Sequence, residues 1–97
     1  MTIEKTVNGN EATLKIEGWM DTQCAPMLEQ ALNELGPDVK HLVLDLSGLE
    51  YVSSAGIRQI VAAHKQMNGE LRLRNVSMEV LDVLTMTGIA KKLHIEP

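Results

Sequence analysis

Ser53 and Ser54 are the side chains of this chain best placed to carry chemistry. They stand in Val43–Arg58, which reads VLDLSGLEYVSSAGIR. An apolar strand passes into a short loop, then the paired serines, then Ala55-Gly56, then an amphipathic helix. Ser54 falls in or beside the helix N-cap. A hydroxyl there is exposed, and free backbone N–H groups and the positive end of the helix dipole suit a phosphate. One reading is a plain cap, worth about 1 kcal/mol. The other is a phosphorylation site. A phosphoserine adds about −1.5 to −2 charges, which a helix N-terminus tolerates, so the fold survives while the local surface changes sign. On this second reading Ser54 is a switchable serine on a binding module, not a nucleophile.

Asp45 and Asp21 come next. Asp45 precedes Leu46-Ser47-Gly48 at the end of a strand, and Asp21 sits in a turn. Their plain readings are a loop-bonding carboxylate and a helix cap. Their functional reading places both near the Ser54 loop, at the edge where strands hand over to helices and α/β sheets bind. Nucleophilic catalysis has little support: SSAG resembles neither G-x-S-x-G nor a P-loop, and His41, His64 and His94 are scattered. No H-x-x-x-H spacing points to a metal, and no cofactor is expected. Met20, Met27, Met67, Met78 and Met86 read as core or boundary packing. Trp19 and Met20, in a turn, read either as an exposed apolar patch for a partner or as a buried lid.

The elements that must position these residues follow from pattern. Thr2–Val7 and Ala12–Glu17 flank Asn8-Gly9-Asn10, a strong hairpin signal. Gly18-Trp19-Met20-Asp21 then turns the chain. Cys24, Met27, Leu28, Ala31, Leu32 and Leu35 keep a 3.6-residue period, which predicts a helix over 22–35. Asp21 or Thr22 can cap it, Pro26 falls in its first turn, and Gly36-Pro37 stops it. His41–Leu46 is a strand with Leu42, Leu44 and Leu46 on one face. A second helix covers 54–67 and closes at Asn68-Gly69, and Glu70–Arg74 is a further strand. Ser77 can cap a third helix, with Val76 and Leu81 at hydrophobic-staple positions. Gly88 ends it, and one more turn precedes a His94-Ile95 tail.

The order is β-β-α-β-α-β-α. Right-handed crossovers make the later strands mutually parallel. Strands apolar on one side only predict helices packed mainly on one face. The fold class is therefore α/β: one domain over residues 1–97, with a mixed sheet of four or five strands and an N-terminal hairpin.

Composition bounds the function. The 97 residues suffice for one domain, and 44% are hydrophobic. With one Trp, one Tyr and no Phe, the core must be aliphatic, and stacking on bases or sugars is disfavoured. A net charge of −4 argues against nucleic acid and anionic lipid. Cys24 is the only cysteine, which excludes an internal disulfide and fits a reducing compartment. No apolar run approaches the ~20 residues that span a bilayer, so no direct membrane insertion is expected. No signal-peptide pattern opens the chain. A cytoplasmic domain is the expectation, as a monomer or weak dimer.

At VLDLSGLEYVSSAGIR the sequence resembles STAS domains, the family of sulfate transporters and anti-sigma factor antagonists. Asp45 matches the family's strand Asp, and Ser53-Ser54-Ala55-Gly56-Ile57 matches its helix opening. Gly18-Trp19-Met20-Asp21 resembles its Gly-x-x-Asp, and Leu84-Thr85-Met86-Thr87-Gly88-Ile89 its Leu-x-x-x-Gly-Ile/Leu segment. The resemblance implies a partner-switching cycle. An anti-sigma factor that is itself a serine kinase binds the unphosphorylated antagonist and releases it once Ser54 is phosphorylated; a metal-dependent serine phosphatase resets it. The implied contact surface is Trp19, Met20, Asp21, Asp45, Ser53, Ser54, Gly56, Ile57 and Arg58. Many switchable members carry Asp before the serine, whereas this chain has Ser53, which becomes the second candidate phosphosite. Two alternatives stand beside this one. The first is a constitutive STAS subunit of a larger assembly, such as a lipid-transport ABC system or a stress-signalling scaffold. The second is a phosphotransfer or receiver-like domain using Asp45.

Overall fold

A computed structural model describes residues 1–96. Strand β1 (Thr2–Asn8) turns antiparallel into β2 (Glu11–Met20). The Asn8↔Glu11 register leaves Gly9-Asn10 as a two-residue loop, with Gly9 at φ +64° as the first central residue of a II′-type hairpin requires. Helix α1 (Ala25–Asn33), strand β3 (His41–Val52), helix α2 (Ser54–Gln66) and strand β4 (Leu71–Arg74) follow. Helix α3 (Met78–Met86), a 3₁₀ turn (Ile89–Lys91) and strand β5 (His94–Ile95) complete the chain.

The sheet order is β1-β2-β3-β4-β5, with β2 to β5 mutually parallel. Strands laid down in sequence order by right-handed crossovers send every connecting helix to the same face. The core lies there: Leu14, Ile16, Met20, Leu28, Leu42, Leu44, Leu46, Ile60, Leu71, Leu73 and Leu84 are fully buried, each worth about 1.5–3 kcal/mol. The opposite face carries an ion network in which Arg72 meets Glu11 (3.4 Å) and Glu96 (3.9 Å), and Arg74 meets Glu96 (3.4 Å). Half-exposed pairs of this kind add little to stability. Val43, also on that face, is buried between its register neighbours Thr13 and Arg72, an apolar position on a face expected to be polar.

Local signals act as expected at most helix ends. Ser77 Oγ accepts the Val80 N–H at 3.2 Å. Helix α2 ends in a Schellman motif, with Asn68 N–H on Lys65 O (3.1 Å) and Gly69 N–H on His64 O (2.9 Å), and Asn68 left-handed at φ +52°.

Four expectations are corrected. Trp19 and Met20 lie in β2, not in a turn. Helix α1 begins at Ala25, because residues 22–24 form a turn held by Asp21, whose backbone carbonyl accepts from Cys24 and Ala25. The His94-Ile95 tail is a fifth strand, extended by Glu96 N–H donating to Leu73 O at 2.7 Å. Strand β3 does not stop at Leu46 but continues to Val52. Two bulges, opposite 15–17 and 18–19 of β2, each insert one residue into β3. Each insertion changes which residue parity faces the core, so the inward residues run Leu42, Leu44, Leu46, Leu49, Val52.

Candidate functional site

The bulged end of β3 delivers the chain to α2 beside the end of β2. Ser53 is the N-cap, in extended conformation (φ −88°, ψ 172°), and its Oγ accepts the Gly56 N–H at 3.2 Å. Its own N–H donates to Met20 O (2.8 Å), and its carbonyl accepts from Ile57 N–H (2.9 Å). Tied at three points, Ser53 is only 8% exposed. Ser54, the first helical residue, is exposed. The N–H groups of Ser54 and Ala55 have no intrahelical partner, and no acidic residue occupies the first turn. The positive end of the helix dipole is thus unneutralised beside an accessible hydroxyl.

Gly56 and Ile57 are buried and Arg58 is exposed. A Cβ on Gly56 would lie 2.7 Å from Met20 Sδ, 2.9 Å from Met20 Cγ and 2.9 Å from Val52 Cγ2. The missing side chain is what lets the first turn of α2 rest on the sheet. Of the two readings of Met20, exposed patch or buried packing, the second holds: it has no exposed surface, because β2 pairing turns it inward under Gly56. Its place beside Trp19 is taken by Tyr51, which sequence inspection missed. Trp19 and Tyr51 are register partners whose rings tilt 38° at 5.3 Å between centroids, 58% and 42% exposed. Only the bulges bring Tyr51 opposite Trp19, so no local pattern marks it.

Asp21 follows Met20 directly, at this same end of the sheet. Its Oδ1 accepts the Cys24 N–H at 2.8 Å, and that bond is the main reason its carboxyl is held below the usual range. Asp45 is not brought to the site. Its partner on β2 is Lys15, five residues before Met20, roughly 17 Å along a strand. The expectation that both carboxylates flank Ser54 therefore holds in space for Asp21 alone, because β3 runs on past Asp45.

Asp45 Oδ1 accepts from Ser47 N–H (3.0 Å) and Asn75 Nδ2 (3.2 Å), tying β3 to the loop after β4, where Asn75 is left-handed at φ +58°. Burial opposes its ionisation, but the Ser47 and Asn75 hydrogen bonds and the charge of Lys15 outweigh that and lower its pKa. A carboxyl lowered in the folded state stabilises above its unfolded pKa, near 3.9, and loses that contribution as pH falls through the lower folded value. Asp45→Ala should cost about 1–2 kcal/mol at pH 7. The gap from wild type should narrow as pH falls below about 4, as read by urea unfolding at several pH values. A gap independent of pH would assign the loss to packing.

Among the described residues, no group of three or more His, Cys, Asp or Glu side chains stands close enough to hold a metal ion. Nor, among the described residues, is any helix long and apolar enough to cross a membrane.

Relatives share both chain and fold. An anti-sigma-B factor antagonist of Bacillus subtilis (strain 168) is 26% identical over 92 residues, covering 92% of this chain and 84% of its own. The crystal structure of an anti-sigma factor antagonist from Mycobacterium paratuberculosis superposes with a TM-score of 0.88 at 24% identity, over 99% of this chain and 85% of that one. SpoIIAA, a Bacillus cell-fate determinant and anti-sigma factor antagonist, matches in its unphosphorylated form at TM-score 0.77 and 16% identity, over 97% of this chain and 87% of that one. Its phosphorylated form matches at TM-score 0.70 and 14% identity, over 97% and 90%. At such identities the structural likeness concerns the fold. The STAS domain family itself matches residues 2–97, and on that match, together with the hairpin-led sheet and the Ser53–Gly56 helix opening, the chain belongs to the STAS domain family.

Proposed function

We propose that this protein is a phosphorylation-switched anti-sigma factor antagonist, with Ser54 as the phosphosite. The observation that carries this reading is the division of labour between the two serines. Ser53 is buried and spends its hydroxyl on the helix cap, while its neighbour Ser54 is exposed. A phosphate on Ser54 leaves the cap intact. A phosphate on Ser53 would have to break the cap and bring about two charges into a buried position, which argues for Ser54 over Ser53. The similarity to anti-sigma factor antagonists, one of them known in phosphorylated and unphosphorylated forms, supports the same reading.

In the proposed cycle the unmodified protein binds an anti-sigma factor that is also a serine kinase. The γ-phosphoryl group of a nucleoside triphosphate passes to Ser54 Oγ, the hydroxyl proton is lost, and the nucleoside diphosphate leaves. The phosphoserine is repelled from the interface and the complex parts. A metal-dependent serine phosphatase then hydrolyses the phosphate and restores the hydroxyl. The proposed contact surface is Ser54, Arg58, the Trp19–Tyr51 pair and Asp21. Met20, Gly56, Ile57 and Ser53 support it from below.

The test is phosphosite mapping on protein isolated from its native cells, with bound partners identified in the same sample. The expected result is phosphate on Ser54 and a small kinase bound only to the unmodified form. An unmodified Ser54 across growth conditions, with one constant partner, would overturn the switch in favour of a constitutive subunit.

A further inference from the structure

The chain has three arginines. Arg72 and Arg74 are paired with Glu11 and Glu96. Among the described residues, Arg58 alone of the three has no carboxylate within ion-pair distance, in a protein whose acidic residues outnumber its lysines and arginines 13 to 9. Arg58 is exposed, and it stands four residues after Ser54 on α2. Residues four apart share one face of a helix, with Cβ atoms about 5–6 Å apart. Helical side chains lean toward the N-terminus, so a long side chain at 58 leans back over the turn that begins at 54. Its other helix neighbours at those spacings, Ala55, Val61 and Ala62, bear no charge to compete.

We infer that Arg58 is the built-in counter-ion of a phosphate on Ser54. The inference rests on the reading of Ser54 as the phosphosite and adds what becomes of the phosphate once it is there. Guanidinium and phosphate match as a two-pronged, charge-assisted pair. The phosphate's remaining oxygen faces the unpartnered N–H groups of the first turn. Arg58 thereby favours the dianion. Phosphorylation then changes the surface in two ways: it adds an anion at 54 and withdraws the cation at 58 from any partner carboxylate it met before.

The test uses the full chain with phosphoserine encoded at position 54, which needs no kinase. The second ionisation of the phosphate is followed by phosphorus NMR at low salt, in wild type, Arg58→Gln and Arg58→Lys. The phosphate pKa should be lower in wild type than in Arg58→Gln by about 0.4 unit, roughly 2.5-fold in the acid dissociation constant. Arg58→Lys, which keeps the charge and loses the fork, should fall between, and added salt should shrink the differences. Thermal unfolding of the unphosphorylated variants should match wild type and serves as the folding control. Identical phosphate titrations in wild type and Arg58→Gln would overturn the inference. Because the phosphate is installed synthetically, that failure is separate from failure of the switch itself, which would show as an unmodified Ser54 in cells.

Discussion

Ser54→Asp is expected to weaken binding of the anti-sigma partner by about two orders of magnitude, equivalent to ~3 kcal/mol, while the fold is unharmed. The two effects separate because of where Ser54 stands. As the first residue of α2 it is exposed, and the helix dipole favours an anion there by about 0.3–1 kcal/mol. The unfolding temperature should therefore hold or rise by a few degrees, about 2–8 °C for a domain of this size. In a complex the same carboxylate must shed water against a surface that met a neutral hydroxyl, and a desolvated charge with no partner on the facing surface costs several kcal/mol. Ser54→Ala should bind like wild type and take up no phosphate. Calorimetric titration of the co-purified kinase with the three proteins decides it. Equal affinity for wild type and Ser54→Asp would remove Ser54 from the interface.

Gly56→Ala should destabilise the protein by about 1–3 kcal/mol, against the usual sign. In an ordinary helix the exchange stabilises by about 1 kcal/mol, since alanine orders at lower entropic cost than glycine. Here the added Cβ meets Met20 Cγ and Val52 Cγ2 at 2.9 Å. Met20 Sδ is the far end of a flexible side chain and can move. Val52 Cγ2 cannot, because β-branched side chains are stiff and Val52 lies under the helix. Relief must come by lifting the first turn of α2, which also displaces Ser53 and Ser54. The expected result in urea unfolding is a lower midpoint with an unchanged slope. In the binding assay the weakening should exceed what the lost stability explains. A stabilised Gly56→Ala would mean that α2 rests on the sheet more loosely than these distances state.

The candidate site was partly legible in the sequence. The serine pair announced itself by position, between an apolar strand and an amphipathic helix, and both readings of it, cap and exposed hydroxyl, find a residue in the structure. Ser53 is the cap and Ser54 the exposed hydroxyl. The sequence put Ser54 first and kept Ser53 as the second choice, because two adjacent serines differ by one residue of phase, and that phase is set by how β3 ends. The placing of Met20 in a turn was misjudged for a related reason. Next to glycine and tryptophan it reads as turn, and only the pairing Met20↔Val52 shows it to be inward strand.

The hairpin, the helix stops and the serine caps were determined by the sequence itself. Each depends on residues within four or five positions: Gly9 in a two-residue loop, Asn68 and Gly69 closing α2, Ser77 reaching Val80. The one-faced helical layer was also determined there, since strand alternation and crossover handedness leave a single arrangement. Tertiary structure decided the bulged end of β3 and, through it, the site. Those two extra residues break the alternation that marks a strand, and only backbone pairing with β2 shows that the strand continues. The same pairing sets Tyr51 against Trp19, leaves Asp21 near Ser54 and keeps Asp45 away. Contacts between residues thirty positions apart are chosen by packing, which no local window of the chain contains.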